Sequence, residues 1–219
     1  MSRDLSDAVL YAILDLGYVA DADLESTARA LIAGGADLLQ LRAKDHSPDA
    51  IEAMAHRVLP PCRESGVPFI INDHPDIAAR VGADGVHLGQ DDGSIAAARS
   101  IVGGDAIVGR STHSPEQAAA AVAEGFDYIG FGPLFPTPTK LGRPGIGLDD
   151  VALVQEQLAC RLPVFCIGGI KRSNLPEVLA AGTRRAVLVS DLLTAFDIRQ
   201  ATAEARELLI SDLGSRIAD

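Results

Sequence analysis

The segment AGGADLLQLR, residues 33–42, predicts the end of a helix followed directly by a β-strand. Its two glycines stop an alanine-rich helical pattern, and the apolar run after them has the character of a buried strand. The same design recurs in RVGADGVHLG (80–89), AEGFDYIGFG (123–132) and AAGTRRAVLVS (180–190). The chain is therefore predicted to be built from a repeated βα unit.

The alternation of strand and helix patterns extends over the whole chain. Eight apolar runs predict strands at residues 9–14, 37–42, 68–72, 84–88, 106–110, 127–132, 163–168 and 186–190. Eight βα pairs in 219 residues predict an α/β fold, a single-domain (β/α)8 TIM barrel with the barrel at about residues 8–210 of the one domain, 1–219. A doubly wound open sheet is the alternative, but the chain lacks the GxGxxG turn typical of that fold.

Composition restricts the environment and the partners. The chain is 47% hydrophobic and 22% charged, and it contains no apolar run near the roughly 20 residues of a membrane span. No secretion signal is recognisable, so a cytoplasmic protein without membrane contact is expected. Cys62, Cys160 and Cys166 suit buried reduced thiols. A net charge of −11 argues against nucleic acid as a binding partner. A homo-oligomer stays possible.

Polar residues follow the second predicted strand in the segment QLRAKD. Gln40, Arg42 and Lys44 alternate with Leu41 and Ala43, which places the three polar side chains on one side of an extended segment. In a TIM barrel the C-terminal strand ends form the active site. A guanidinium and an ammonium group there suit a diphosphate, and a solvated strand end is the alternative.

Carboxylates follow the third and fourth predicted strands. Asn72 and Asp73 end the third strand, and Asp92 follows the fourth. Two carboxylates from adjacent strands can meet on one cation, and Mg²⁺ commonly binds one or two carboxylates together with substrate phosphates and water. Helix capping by each aspartate is the alternative.

Hydroxyl groups and a histidine follow the fifth predicted strand in GRSTHS. Ser114 precedes a proline and so predicts a helix start, which leaves Ser111 as the better ligand candidate. His113 has the chemistry of an acid or base, but a histidine near a helix cap is more often structural.

The last three strand ends suit anionic groups. After the sixth strand, the loop FGPLFPTPTK (131–140) offers Thr137, Thr139 and Lys140 between prolines that disfavour helix and sheet. Gly168, Gly169 and Ser190 end the seventh and eighth strands, where barrels often bind phosphate through backbone N–H groups.

Taken in order, the segments QLRAK, NDHPDIA, GADGVHLGQDD, GRSTHS, DYIGFGPLFPTPTK, IGGI and VLVS resemble the thiamine-phosphate synthase family over about residues 9–200. The resemblance implies a TIM barrel that joins a hydroxymethylpyrimidine diphosphate to a thiazole phosphate, giving thiamine monophosphate and pyrophosphate. By similarity, Asp73 and Asp92 bind Mg²⁺. The pyrimidine diphosphate would contact Gln40, Leu41, Arg42, Ala43, Lys44, Asn72, Ser111 and Lys140, and the thiazole phosphate Thr137, Pro138, Thr139, Gly169, Val189 and Ser190.

The resemblance also implies a dissociative displacement that needs no protein nucleophile. Arg42, Lys44, Lys140 and Ser111 would be the catalytic residues, acting with Mg²⁺ on the charge of the leaving group. We expect Lys140→Ala to lower turnover strongly while folding is kept.

Two other functions stay open from the sequence. A thiazole tautomerase has the same fold and a similar GRSxHS segment, and it would make His113 catalytic without needing the two aspartates. A non-catalytic relative that binds phosphorylated ligands is the second. Arg184 and Arg185 depart from the family pattern and are expected on the surface, at the end of the barrel away from the ligand.

Overall fold

A computed structural model of the chain describes residues 4–137 and 144–217. Its eight strands are parallel and pair in sequence order, and the last pairs with the first to close a barrel. The predicted TIM barrel is confirmed and the open-sheet alternative is wrong. The strands are β1 (Leu10–Asp15), β2 (Leu38–Arg42), β3 (Phe69–Asn72), β4 (Gly85–Leu88), β5 (Ile107–Thr112), β6 (Tyr128–Phe131), β7 (Val164–Cys166) and β8 (Ala186–Leu188).

Helices lie between the strands on the outside of the barrel. In the described part of the chain they are α1 (Leu24–Ala33), α2 (Pro48–Ser65), α3 (Pro75–Val81), α4 (Ile95–Val102), α5 (Pro115–Glu124), α6 (Val151–Leu158), α7 (Leu175–Ala180), α8 (Ser190–Leu193) and α9 (Ile198–Ile217). Ser114 caps α5 as expected, because its hydroxyl accepts a hydrogen bond from the Gln117 N–H at 3.3 Å. None of the described helices is both long and apolar enough to span a membrane.

The predicted strands differ from the observed ones by at most two residues at either end. The largest differences, of two residues, lie at the C-terminal ends of β5, which is longer than predicted, and of β7 and β8, which are shorter. Gly168 and Gly169 have φ angles of 99° and 66°, outside the strand region, so β7 ends before them. Ser190 begins α8 instead of ending β8. The last residues of both predicted strands are therefore loop or helix residues that face the cavity described below.

The core has an inner and an outer layer, because alternate strand residues face opposite sides of the barrel wall. The inner cluster inside the barrel contains Leu5, Ala8, Tyr11, Ile13, Leu38, Ile70, Ile107, Tyr128, Phe165 and Val187. The larger outer cluster fills the space between strands and helices. Cys62 and Cys166 are buried there as free thiols, as expected, whereas Cys160 is exposed.

A glycine on β5 makes room for a large ring inside the barrel. Gly109 pairs with Tyr128 on β6, and a Cβ added at Gly109 would lie 2.1 Å from Cζ of the Tyr128 ring. We expect Gly109→Ala to lower the free energy of unfolding by about 1–3 kcal/mol or more, because the ring must move in a packed interior. Chemical denaturation measures this. Gly104→Ala is the control, since no atom lies within 4 Å of its added Cβ; equal unfolding midpoints for the two variants would contradict the prediction.

Arg184 and Arg185 lie before β8, at the end of the barrel opposite the strand C-termini. Arg184 is exposed as expected, and Arg185 is half-buried. Its Nη2 donates a hydrogen bond to the Ser6 carbonyl at 2.6 Å, and burial, with the charge of Arg184, lowers the pKa of its guanidinium. Arg185 therefore lies at the expected end of the barrel and also contacts the segment preceding β1.

Candidate functional site

A cavity of about 370 Å³ opens at the C-terminal end of the barrel. All eight strands or the loops that follow them contribute to its lining. Of the residues predicted to form the site, those that line it are Gln40, Arg42, Lys44, Asn72, Asp73, Asp92, Ser111, Thr137, Gly169, Val189 and Ser190. The structure thus brings residues from distant parts of the sequence together in one concave site of the kind that binds small molecules.

Two of the predicted residues that the structure describes do not belong to this lining. Leu41 and Ala43 are buried in the outer core cluster, because alternation along β2 turns them towards the helices. Their side chains are thus not available to a ligand in the cavity, and a substrate-binding role for them is limited to the backbone. Pro138, Thr139 and Lys140 lie outside the described residues.

An ion pair fixes one cationic group of the cavity. Arg42 Nη1 lies 2.6 Å from Asp15 Oδ2, and both side chains are largely buried, with 14% and 3% of their surface exposed. The other carboxylate oxygen of Asp15 accepts a hydrogen bond from the Gly17 N–H at 2.9 Å. The sequence does not predict Asp15 as a site residue. The register of β1 and β2 sets it beside Arg42. It holds the Arg42 guanidinium at the cavity wall.

Two carboxylates meet at the rim of the cavity. Burial raises the pKa of Asp73, and a hydrogen bond and the charge of Asp92 raise it further, against the opposing effect of Lys44. For Asp92, burial acts upwards, but hydrogen bonds with Asp73 and with the Gly89 N–H, at 2.6 Å, leave its pKa lowered. Asp73 is therefore the carboxyl group of the pair that is protonated more readily as the pH falls. The Lys44 ammonium lies 3.3 Å from Asp73 Oδ2.

Neither aspartate caps the helix that follows it. The N-cap of α4 is Ser94, whose hydroxyl accepts from the Ala97 N–H at 3.2 Å. The N-cap of α3 is His74, without a side-chain cap. Asp73 has a φ of 64°, an uncommon value for a residue with a side chain, and residues with such values cluster at functional sites. The capping interpretation is therefore wrong for both residues.

The described residues contain no group of three or more His, Cys, Asp or Glu side chains that could hold a metal ion by themselves. Asp73 and Asp92 supply two carboxylates at the cavity rim, and the remaining positions around a cation would fall to ligand oxygens and water. This donor set suits a hard cation that retains water and binds phosphate, as Mg²⁺ does.

A line of hydrogen bonds crosses the inside of the barrel beneath the cavity. The Gln40 amide donates to the Tyr11 hydroxyl. Tyr11 Oη lies 2.9 Å from Tyr128 Oη, which lies 3.0 Å from His87 Nδ1, and His87 Nε2 lies 2.9 Å from Ser111 Oγ. Burial raises the pKa of both tyrosines, so both stay protonated. We call these five residues the interior hydrogen-bond chain.

Sequence reasoning had identified only the two ends of the interior hydrogen-bond chain, Gln40 and Ser111. His87 carries no ligand-like spacing in the sequence, and Tyr11 and Tyr128 read as ordinary core residues. Their position along the strands could have identified them. Each lies on the inward side of its strand, and in a barrel the alternation of residues predicts which side chains point inwards. Four of the five residues line the cavity, and the fifth, Tyr128, is buried below it.

The loops after β6 and β7 are joined beside the cavity. The Leu134 N–H donates to the Ile167 carbonyl at 2.8 Å, and the Phe135 N–H to the Gly168 carbonyl at 3.0 Å. Glycine is required at 169, because φ is 66° and an added Cβ would lie 2.6 Å from Cβ of Phe135. This close contact brings the backbone of the β7 loop next to the loop that carries Thr137.

His113 lies at the wall of the cavity after β5. Its Nδ1 is hydrogen-bonded to the Gly132 carbonyl, and its backbone N–H donates to Gln117 Oε1 at 2.8 Å. Because a carbonyl only accepts, Nδ1 carries a proton. These contacts tie the end of β5 to α5 and to the loop after β6, which agrees with a structural role for this histidine.

Known proteins resemble the chain over most of its length. The family model described as thiamine monophosphate synthase matches residues 10–192. A thiamine-phosphate synthase of Thermus thermophilus is 49% identical over 193 residues, covering 88% of this chain and 92% of the relative. One from Acidothermus cellulolyticus is 42% identical over 205 residues, covering 93% and 96%.

A solved structure agrees with the sequence relatives. The thiamine phosphate pyrophosphorylase of Pyrococcus furiosus superposes with a TM-score of 0.85 at 33% identity, covering 96% of this chain and all of the other. The barrel thus has counterparts in enzymes of one kind. The chain therefore belongs to the thiamine-phosphate synthase family of transferases.

Proposed function

We propose that the chain condenses 4-amino-5-hydroxymethyl-2-methylpyrimidine diphosphate with 4-methyl-5-(2-phosphoethyl)thiazole, or its carboxylated form, to thiamine monophosphate and pyrophosphate. The observation that carries the proposal is the contact between Asp73 and Asp92, with Lys44 at 3.3 Å, on the rim of the family's barrel cavity. Carboxylates and cationic groups together suit a metal-bound diphosphate. Membership of the family supports the same reaction.

The residues at the rim fit Mg²⁺ as the cofactor. Asp73 and Asp92 would hold it, because a cation between the two carboxylates would neutralise the charges whose proximity raises the pKa of Asp73. When bound, Mg²⁺ would stabilise the negative charge that develops on the departing diphosphate.

The basic side of the cavity would hold the diphosphate. In the proposed reaction the bond from the pyrimidine methylene carbon to the diphosphate oxygen breaks, and the thiazole nitrogen then attacks that carbon. Both electrons of the broken bond leave with pyrophosphate, so stabilising the leaving group is the main task of the protein. Arg42 would do this from a fixed position, because Asp15 holds its guanidinium at 2.6 Å. Lys44 and Ser111 line the same cavity, and the family resemblance adds Lys140.

The family resemblance supplies the remaining ligand contacts. Gln40 and Asn72 lie on adjacent strands, β2 and β3, at the inner wall of the cavity and would contact the pyrimidine diphosphate. Thr137, Gly169, Val189 and Ser190 line the cavity after β6, β7 and β8 and would contact the thiazole phosphate. The resemblance adds Pro138 and Thr139 to this group. The pyrimidine diphosphate would then lie on the β2–β5 side of the cavity and the thiazole phosphate on the β6–β8 side. The two substrates would meet between these sides.

The test is a reaction of the purified chain with both phosphorylated substrates, with Mg²⁺ and with excess EDTA. We expect equal amounts of thiamine phosphate and pyrophosphate with Mg²⁺, and loss of at least about 99% of turnover without it, because several kcal/mol of charge stabilisation is removed. Absence of both products in the presence of Mg²⁺ would refute the proposal. Isomerisation of the thiazole alone would indicate a tautomerase, and binding without turnover a non-catalytic relative.

A further inference from the structure

We propose that Arg110 is a positioning residue, which holds the loop that carries Asp92 in the form that a divalent cation needs. The proposal rests on the proposed function in one respect, the assignment of Asp92 as a ligand of that cation. Arg110 lies on β5 beside Leu88, the last residue of β4, and outside the described lining of the cavity. It would therefore act through the loop and not on the substrates.

The β4–α4 loop, residues 89–94, folds around the Asp92 carboxylate. The Gly89 N–H donates a hydrogen bond to Asp92 Oδ2 at 2.6 Å, and the Asp92 N–H donates to the Gly89 carbonyl at 3.3 Å. The same carboxylate is hydrogen-bonded with Asp73 across the rim. Residues 91–94 are exposed, and a short exposed loop that is held only by its own contacts opens easily. A fixed position for Asp92 needs support from the barrel.

Arg110 supplies this support from β5. Its Nη1 donates to the Gly93 carbonyl at 2.8 Å and its Nη2 to the Gln90 carbonyl at 3.0 Å, so the two acceptors lie on either side of Asp92 in the sequence. A planar guanidinium holds two acceptors at a fixed spacing. In the opposite direction, the Gln90 side-chain amide donates to the Ser111 carbonyl of β5. The loop is thus connected to β5 by three hydrogen bonds.

The guanidinium is itself held by the core. Its Cζ lies 5.4 Å from the ring centroid of Phe126, a buried residue that precedes β6. An arginine over an aromatic face is attracted to it, which favours one orientation of the side chain. Arg110 therefore connects the rim of the cavity to a rigid part of the barrel.

The sign of the charge separates positioning from electrostatics. The positive charge of Arg110 acts on Asp92, so it would also repel a cation bound there. By charge alone, removal of Arg110 should strengthen cation binding. A weaker affinity for a cation in a variant without this charge therefore reports the geometry of the loop.

The first test is Mn²⁺ binding to Arg110→Met, followed by electron paramagnetic resonance without substrates. The site is identified as the one that is lost in Asp92→Asn. We expect Arg110→Met to bind Mn²⁺ about 10-fold more weakly at this site than wild type. Equal or tighter binding overturns the proposal, and so does a wild type without an Asp92-dependent site. Failure of the wild type to form thiamine phosphate would instead refute the proposed reaction and leave the Mn²⁺ comparison decisive.

The second test is amide hydrogen exchange in the metal-free protein, measured by mass spectrometry on peptides that contain residues 89–94. The Gly89 and Asp92 N–H groups are hydrogen-bonded within the loop, so their exchange reports its opening. We expect about 10-fold faster exchange in Arg110→Met, because two hydrogen bonds to the loop are lost. Unchanged exchange would mean that Arg110 does not hold the loop and would overturn the proposal.

Two further variants serve as controls. Arg99 donates to the carbonyls of Gly104 and Ala106 at 3.2 and 3.0 Å, before β5 and thus at the opposite end of the barrel. Arg99→Met should leave Mn²⁺ affinity within about twofold of wild type, whatever it does to stability. Arg110→Lys keeps the charge but cannot hold both carbonyls in a fixed geometry. It should recover only part of the affinity, and full recovery would overturn the paired hydrogen bonds as the cause.

Discussion

Asp73→Asn is expected to lower Mg²⁺-dependent turnover by a factor of about 100 to 1,000. The substitution removes a carboxylate that contacts Asp92 and the Lys44 ammonium at the cavity rim. Each factor of ten corresponds to about 1.4 kcal/mol, and the charge stabilisation assigned to a metal at such a site amounts to several kcal/mol. Steady-state kinetics at saturating substrates and varied Mg²⁺ measure the effect, and Mn²⁺ binding followed by electron paramagnetic resonance reports the site independently of turnover.

The same substitution is not expected to destabilise the fold. Burial and Asp92 raise the pKa of Asp73, so its ionised form costs folding free energy increasingly as pH rises through that pKa. A neutral amide avoids this cost, and asparagine tolerates the positive φ of 64° at this position. We therefore expect the free energy of unfolding at pH 8 to stay within about 1 kcal/mol of wild type or to rise.

Asp76→Asn is the matched control for this prediction. Asp76 lies three residues further along the chain, in the first turn of α3, and pairs with the exposed side chain of Arg80. Its removal should change turnover by less than about twofold, because exposed ion pairs contribute little. Equal kinetics for Asp73→Asn and wild type at all Mg²⁺ concentrations would show that Asp73 is not a metal ligand.

The barrel could be predicted because each βα unit is specified by residues that lie close together in the sequence. Glycine stops, serine caps and short apolar runs identify each βα unit within about 25 residues, and eight such units leave few other folds. The rule that barrel sites lie at strand C-termini then selected Gln40, Arg42, Asn72 and Ser111 without any knowledge of contacts. All four line the cavity. Local pattern and one fold-level rule were sufficient for these residues.

Contacts between distant residues were not predictable in the same way. Tyr11 on β1 and Tyr128 on β6 are 117 positions apart and meet only because the barrel closes. His87 on β4 contacts Ser111 on β5 and Tyr128 on β6, which the strand order brings near it. The range Gln40–Lys44 included Leu41 and Ala43, whose side chains the strand alternation excludes from the cavity. Asp15 is not predicted as a site residue, because the role of an acidic residue at a strand end depends on which residue of the neighbouring strand lies beside it. That neighbour is Arg42.

Asp15→Asn is expected to lower the free energy of unfolding by about 3–5 kcal/mol. It leaves the Arg42 guanidinium, which is only 14% exposed, without the carboxylate that lies 2.6 Å from it. Removing one partner of a buried ion pair is strongly destabilising, because the remaining buried charge loses its counter-ion. Chemical denaturation measures the loss. Asp21→Asn is the control: its pair with Arg57 is exposed, 58% and 38% for the two side chains, and should contribute at most about 1 kcal/mol.

The double variant Asp15→Leu/Arg42→Met separates the two roles of this pair. Replacing both charges by apolar side chains of similar size is commonly neutral or stabilising, so we expect stability to return to within about 1 kcal/mol of wild type. Turnover should nevertheless stay about 100-fold or more below wild type, because a fixed cationic donor for the leaving diphosphate is absent. Full activity in the stable double variant would mean that Arg42 serves the fold alone. A double variant as unstable as Asp15→Asn would instead mean that the unpaired charge was not the cause of the loss.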